Sequence, residues 1–346
     1  MPAFVCVLAH TDTCLIPGVS SAGVREDLRP LTPAADAEVV VFGEARCMQG
    51  VPSNPLGAPG PAGITRAALR VAGLQPTFIG AGLSVWPRAA CTRITDEAGG
   101  DIRLGRAVPR AAALYARGLA FGEEVARTAP YVVIGESVPG GTTTGLALLL
   151  ALGYQAPGRV SGSMPGNAHA LKQTVVTTAL QAAGLGTGQA RSDPLAAVAK
   201  VGDPMQPLVA GMASGVAMAG KGVLLAGGSQ MLAVAALVSA IHGEAALANV
   251  AIGTTRWIVH DPAADVVGLA RDISDDLAVL AANLDFSPSR HEGLRAYERS
   301  LVKEGVGAGG ACLAAMLAVD ASIHVLEQEI DATYDRLLGR LQPVTQ

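Results

Sequence analysis

The sequence predicts a doubly wound α/β fold, a mainly parallel sheet flanked by helices. Three observations carry this. Short β-branched runs alternate with longer Ala- and Leu-rich stretches, the pattern of successive strand–helix units. Glycines sit where strands give way to helices. Aromatic residues make up only 3% of the 346 residues while glycines number 42, which favours helices packed closely on a sheet over a β-sandwich.

Taken in order, Phe4 to Ala9 reads as a strand, and Ile16 to Leu31 as a Pro- and Gly-punctuated loop with a short helix. Glu38-Val39-Val40-Val41-Phe42-Gly43 reads as a second buried strand. Cys47 to Pro61 is a long loop, and loops of that length in compact domains are usually functional. Ala62 to Ala72 has helical spacing and stops at Gly73. Pro76 to Gly80 is the next strand, and Ala111 to Thr128 a helix.

The chain then reaches its most informative stretch. Tyr131-Val132-Val133-Ile134 is a buried strand, and Leu146 to Leu150 lies in a helix. Between them stand Glu136, the glycines Gly135, Gly140 and Gly141, Pro139, and Thr142 to Thr144. Glycines let backbone approach an anion, and free N–H groups at a helix start point at it. Gly135 and Gly140 match the first half of a P-loop, but Gly141 stands where the phosphate-binding Lys belongs. That argues against a triphosphate and leaves room for a single phosphate.

Val160 to Asn167 is another small-residue turn, and Ala168 to Ala183 is a helix with Lys172 near its start. Lys172 is placed either to reach an anion or to lie in solvent. Asp193 reads as the N-cap of a helix beginning at Pro194. After the small-residue helix Met205 to Ala219, Gly222 to Gly228 forms a strand ending in glycines, with the helix Ser229 to His242 behind it. Ligands in such sheets bind outside the carboxyl ends of strands, where turns of this kind converge. Val250 to His260 reads as a strand, and Asp275 to Asn283 as a helix that ends the sheet region. Arg290 to Leu301, Ala311 to Val319 and Ile323 to Leu341 are helices, with Lys303-Glu304-Gly305 between the first two.

Composition excludes several classes. A net charge of −4 gives no basic footprint, so nucleic acid is not the partner. The five cysteines are scattered, without a CxxC pair, which predicts reduced thiols and a cytoplasmic setting. The apolar region Leu208 to Ile241 is broken by Lys221 and Gly227-Gly228-Ser229-Gln230 into pieces too short to span a bilayer. No His spacing fits a metal site.

Three segments, in order, resemble the nicotinate-nucleotide–dimethylbenzimidazole phosphoribosyltransferase family of cobalamin biosynthesis. Gly135-Glu136-Ser137-Val138-Pro139-Gly140-Gly141-Thr142-Thr143 is similar to that family's Gly-Glu-x-x-x-Gly-Asn-Thr-Thr, with Gly141 in place of Asn. Asp193-Pro194-Leu195 through Val201-Gly202 and on to Ala236 resembles its Asp-Pro-Leu segment and following strand–helix unit. Lys303-Glu304-Gly305-Val306-Gly307-Ala308 is similar to its Gly-Glu-Gly-Thr-Gly-Ala. The resemblance covers the last two thirds of the chain and looks most like a divergent branch found mainly in archaea and cyanobacteria. The family's Asp-His-Gly after an early strand is here Phe42-Gly43-Glu44, and its Gly-Arg-Gly-Thr-Gly turn is Ser161-Gly162-Ser163-Met164-Pro165.

The resemblance implies transfer of phosphoribose from nicotinate mononucleotide to a benzimidazole, without metal or organic cofactor, by a homodimer. It makes Glu304 the general base and Glu136 a second catalytic carboxylate. Gly140, Gly141, Thr142, Thr143 and Lys172 would hold the phosphate. Gly162, Ser163, Gly227, Gly228 and Gly305 would line the substrate site. Residues 31–283 would form a large Rossmann-like domain carrying the cradle. Residues 1–30 and 284–346 would form a smaller, mainly helical lobe bringing Glu304 over it. Three alternatives stay open: a P-loop-like ATPase or kinase, a non-catalytic nucleotide sensor, and a same-fold transferase using another base such as adenine or a phenolic ring.

Overall fold

The computed structural model describes residues 1–23 and 25–339. Among these, seven strands form one sheet: β1 (Ala3–Ala9), β2 (Pro76–Ala81), β3 (Cys91–Thr95), β4 (Tyr131–Ser137), β5 (Gly222–Ala226), β6 (Val250–Thr255) and β7 (Ala278–Ala282). All pair in parallel, in the order β3-β2-β1-β4-β5-β6-β7. The helices, in chain order, are α1 (Thr32–Phe42), α2 (Ala62–Ala72), α3 (Ala111–Ala126), α4 (Gly141–Leu152), α5 (His169–Ala183), α6 (Pro194–Val201) and α7 (Met205–Met218). They continue as α8 (Ser229–His242), α9 (Arg256–Val259), α10 (Val266–Ile273), α11 (Glu292–Glu298), α12 (Ala308–Val319) and α13 (Ile323–Gly339). The doubly wound parallel architecture is therefore as expected. No helix among the described residues is long and apolar enough to cross a membrane.

Alternation along the strands separates two cores. Val5, Val7 and Ala9 of β1, with Val132 and Ile134 of β4, face helices α3 to α8 and α10. Phe4, Cys6, Leu8 and Val133 face α1, α2 and α11 to α13. The chain leaves β1 for β2 on one side and returns through β4 on the other. The strand order thus reverses between β1 and β4, and the crevice beyond their carboxyl ends is the switch point where such sheets bind ligands.

Three expectations need correction. Residues 38–42 belong to α1, not to a strand, and Gly43 is its C-cap. Pro33 in the first turn and Ala34, Ala35 and Ala37 start the helix, and Gly43 (φ 73°) closes it. Its length is buried almost throughout, so a short β-branched run inside it carries no helical period to read. Residues 278–282 are the edge strand β7, paired with β6, because partner pairing overrides the helix propensity of an Ala/Leu run. The segment Val250 to His260 is a strand only to Thr255 and then turns into α9. Strand β3 is short, half-exposed and went unread in the sequence. The end of the C-terminal helix expected to reach Leu341 lies outside the described residues.

The N-terminal residues also sit elsewhere than expected. Strand β1 lies in the middle of the sheet, paired on both sides, and not in a separate lobe. The C-terminal helix α12 lies directly on that sheet: a Cβ on Gly309 would fall 2.1 Å from the Thr254 carbonyl carbon, and one on Gly310 2.3 Å from Ala226 Cβ.

On the opposite face α3 and α7 touch backbone to backbone. A Cβ on Gly118 would lie 2.1 Å from Leu208 O, and one on Gly211 2.1 Å from Tyr115 O. Those carbonyls belong to helices and have nowhere to retreat. Gly211→Val is expected to cost about 1–3 kcal/mol of stability by overpacking, read as a lower urea midpoint at unchanged slope.

Candidate active site

A cleft of about 850 Å³, open to solvent, lies at the switch point. Its walls bring together the end of β4, the start of α4, the 162–164 turn, Lys172 of α5, the 52–61 loop, α1 and the 302–306 segment.

The cradle is built by β4 running into α4. Gly140 (φ 83°) caps the helix in a left-handed conformation, and a Cβ there would press on the backbone of Cys14 at 3.0 Å. Buried Arg29 holds that neighbouring loop, its Nη1 donating to Cys14 O at 2.7 Å. Helix α4 thus starts on the cleft wall; of its first amides, Gly141 N donates to Val138 O at 3.0 Å and Thr143 N to Gly140 O at 2.9 Å, so the turn before the helix holds them in place. At position 141 a Cβ would lie 1.7 Å from Gln230 Oε1. The end of the Gln230 side chain occupies the space that a side chain at 141 would take. Across the cradle, a Cβ on Gly162 would sit 3.1 Å from Lys172 Nζ and 3.5 Å from Thr142 Oγ1, so both groups flank one point.

Three carboxyls line this cleft, Glu136, Glu304 and Asp36. Glu136, 4% exposed, accepts from Val138 N at 2.9 Å and from Gln230 Nε2 at 3.1 Å. Burial, with Asp203 and Glu304 nearby, pushes its pKa up to about 8. Glu304, half-buried, accepts from Gly305 N at 3.1 Å and from Gly309 N at 3.2 Å, at the start of α12. Burial raises it to about 7 against the pull of those N–H groups. The two loops are tied together: Val306 N donates to Glu136 O at 2.8 Å. Val306 pays for that tie with a φ of 55°, costly for a β-branched residue.

Beneath Glu304 lies a buried ion pair. Lys303 Nζ donates to Asp261 Oδ2 at 2.7 Å and to Asn167 Oδ1 at 2.9 Å. Asp261 also accepts from Ser161 Oγ at 2.5 Å and Asn167 Nδ2 at 2.9 Å. Burial pushes the Asp261 pKa up, but the bonds from Lys303, Ser161, Asn167 and the Ala263 amide outweigh it and hold the group at about 2. Lys172 Nζ donates to Asn167 O at 2.5 Å, and burial, with Lys303 nearby, lowers its pKa to about 8.

Of the residues singled out in the sequence, Glu136, Glu304, Gly140, Gly141, Thr142, Gly162, Ser163, Lys172 and Gly305 all line the cleft. Lys172 is 1% exposed, so the solvated alternative is ruled out. Thr143 is fully buried and off the cleft wall. Gly227 lies behind Glu136, its Cβ position 4.0 Å from Oε1, and Gly228 packs against Ile258. Neither glycine reaches the cleft, and the contact from that turn comes from Gln230 instead. Asp36, Gln230, Asn167 and Asp261 went unread, since only the fold brings them to the site.

Curated relatives align over nearly the whole chain. A protein of Methanothermobacter thermautotrophicus is 44% identical over 317 residues, 91% of this chain and 87% of the relative, and is named a UPF0284 protein. The chain belongs to the UPF0284 family. Other UPF0284 proteins, from Saccharolobus solfataricus and Thermococcus kodakarensis, are each 40% identical, covering 97% and 98% of this chain and 93% and 99% of their own lengths. No family model matches the chain. The UPF0284 fold is also that of two crystal structures from Thermus thermophilus. One is nicotinate-nucleotide-dimethylbenzimidazole phosphoribosyltransferase (TM-score 0.58, 17% identity, covering 99% of this chain and 86% of that one). The other is CobT (TM-score 0.60, 18% identity, covering 98% and 86%).

Proposed function

We propose that this UPF0284 protein is a phosphoribosyltransferase that moves phosphoribose from nicotinate mononucleotide to a benzimidazole-type base. The products are nicotinate and α-ribazole phosphate, formed with inversion. The supporting observation is one cleft holding a single-phosphate cradle and two carboxyls with raised pKa values. The helix α4 N-terminus, the Thr142 hydroxyl and the Lys172 ammonium would grip the 5′-phosphate. The acceptor nitrogen attacks the anomeric carbon as the bond to the pyridine nitrogen breaks, and that electron pair leaves with nicotinate. The acceptor's other ring N–H gives its proton to Glu304. Glu136, whose pKa burial raises as it does that of Glu304, orients the reacting pair by hydrogen bonding.

A kinase reading lacks its Lys at Gly141. A sensor gains nothing from burying two carboxyls at a cost in desolvation. The test is chromatographic: nicotinate release from nicotinate mononucleotide, with and without dimethylbenzimidazole. Base-dependent release supports the transferase. Binding of the mononucleotide by calorimetry with no release for any base sinks it.

The pH profile is a second check. Glu304 works as a base only when ionised, so kcat/KM should climb about tenfold per pH unit below 7 and level off above it. Because Glu136 is coupled to Glu304, the limb reports an apparent value of the pair. A profile flat from pH 5 to 8 would remove Glu304 from the role.

A further inference from the structure

Asp36 is a third carboxyl on the cleft wall, and the transfer chemistry above gives it no task. It comes from α1 and is 5% exposed. Its Oδ2 accepts from Ser137 Oγ at 2.7 Å, the only hydrogen bond it receives among the described residues. Its Oδ1 looks toward the 52–60 loop, where a Cβ on Gly60 would come within 3.8 Å. The polar groups of that loop are already engaged. Gly60 N donates to Pro52 O, and Asn54 Oδ1 accepts from Leu56 N and Ala58 N while its Nδ2 donates to Leu301 O. Of the other cleft-wall residues on that side, Ala58 and Pro61 are apolar and Thr32 of α1 carries a hydroxyl, and Asp36 Oδ1 receives no hydrogen bond among the described residues.

The cradle and α4 lie over one face of the sheet, and α1 over the other. Val302 and Val306, on either side of Glu304, pack in the same core as α1, so Glu304 and Asp36 line the cleft from one side of the sheet and the cradle from the other.

Resting on the transferase reading, we infer that Asp36 is a specificity-determining residue. It selects a fused heteroaromatic acceptor whose edge away from the attacking nitrogen carries a hydrogen-bonding group, such as a hydroxylated benzimidazole or a purine-type ring. An edge bearing only methyl groups leaves the buried carboxyl unpaired, which costs affinity, whereas a polar edge pairs with it. Burial raises the Asp36 pKa to about 7, so near neutrality the group meets either a donor or an acceptor on the ring.

The test is calorimetric binding of dimethylbenzimidazole, 5-hydroxybenzimidazole and adenine to the full-length protein, wild type, Asp36→Asn and Asp36→Leu. Wild type is expected to bind the polar-edged rings about tenfold or more tighter than the dimethyl ring. Asp36→Leu should reverse that order, and Asp36→Asn, nearly isosteric, should keep a polar preference. Retained binding of nicotinate mononucleotide reports that each variant is folded. Equal affinities in wild type, or an unchanged order in Asp36→Leu, overturn the inference. Nicotinate release with dimethylbenzimidazole but no base preference removes the role of Asp36 and leaves the transferase standing. A base preference without nicotinate release does the reverse.

Discussion

Glu304→Gln is expected to lower base-dependent nicotinate release by about 10²–10⁴-fold, the range typical of losing a positioned general base. The substitution keeps the shape of the side chain. Its amide oxygen still accepts from the Gly305 and Gly309 N–H groups that hold the carboxylate now. What it removes is the capacity to take a proton. The loss should therefore fall on kcat, with mononucleotide affinity changed less than about threefold, because the cradle at Gly140, Thr142 and Lys172 is untouched. Single-turnover kinetics beside calorimetry separate the two. Wild-type rates in the variant would mean that the acceptor sheds its proton to water or to Glu136.

Lys303→Met should destabilise the protein by about 3–5 kcal/mol, the cost of leaving a buried charge without its partner. The Lys303 side chain is 0% exposed and that of Asp261 3%, so no solvent is at hand to replace the ammonium. Asp261 would keep its bonds from Ser161, Asn167 and Ala263 but lose its cation. Urea unfolding should show the fall in midpoint, and activity should fall with it, since Glu304 is the next residue along. Adding Asp261→Leu should recover part of the stability, as apolar replacement of a whole buried pair often does. A single variant as stable as wild type would mean that water reaches the pair.

The cradle was legible because its chemistry is local: a β-branched strand, glycines and threonines in one run, and a Gly where a P-loop Lys would be. The parallel sheet was legible for the same reason, as strand and helix signals alternated along the chain. Glu304 stood out only through motif order, since a carboxylate before glycines also describes a helix end. Asp36 was hidden inside a helix buried on nearly all sides. Asp261, Asn167 and Lys303 could not be connected by sequence, because the bonds joining them span 94 and 136 residues. Only closure of the sheet makes them neighbours.

The late arrival of α12 has a consequence for synthesis. Strands β4, β5 and β6 leave the ribosome long before Gly309 and Gly310 reach them, so one face of the sheet waits for the last part of the chain. Val133, Leu224 and Ala226, all buried in the finished molecule, stay uncovered through that interval. A nascent chain stopped before residue 303 therefore presents a sticky apolar surface and a cleft without its 302–306 wall. Such a fragment exposes apolar surface of the kind chaperones and proteases act on, and on the proposed function it lacks the general base Glu304.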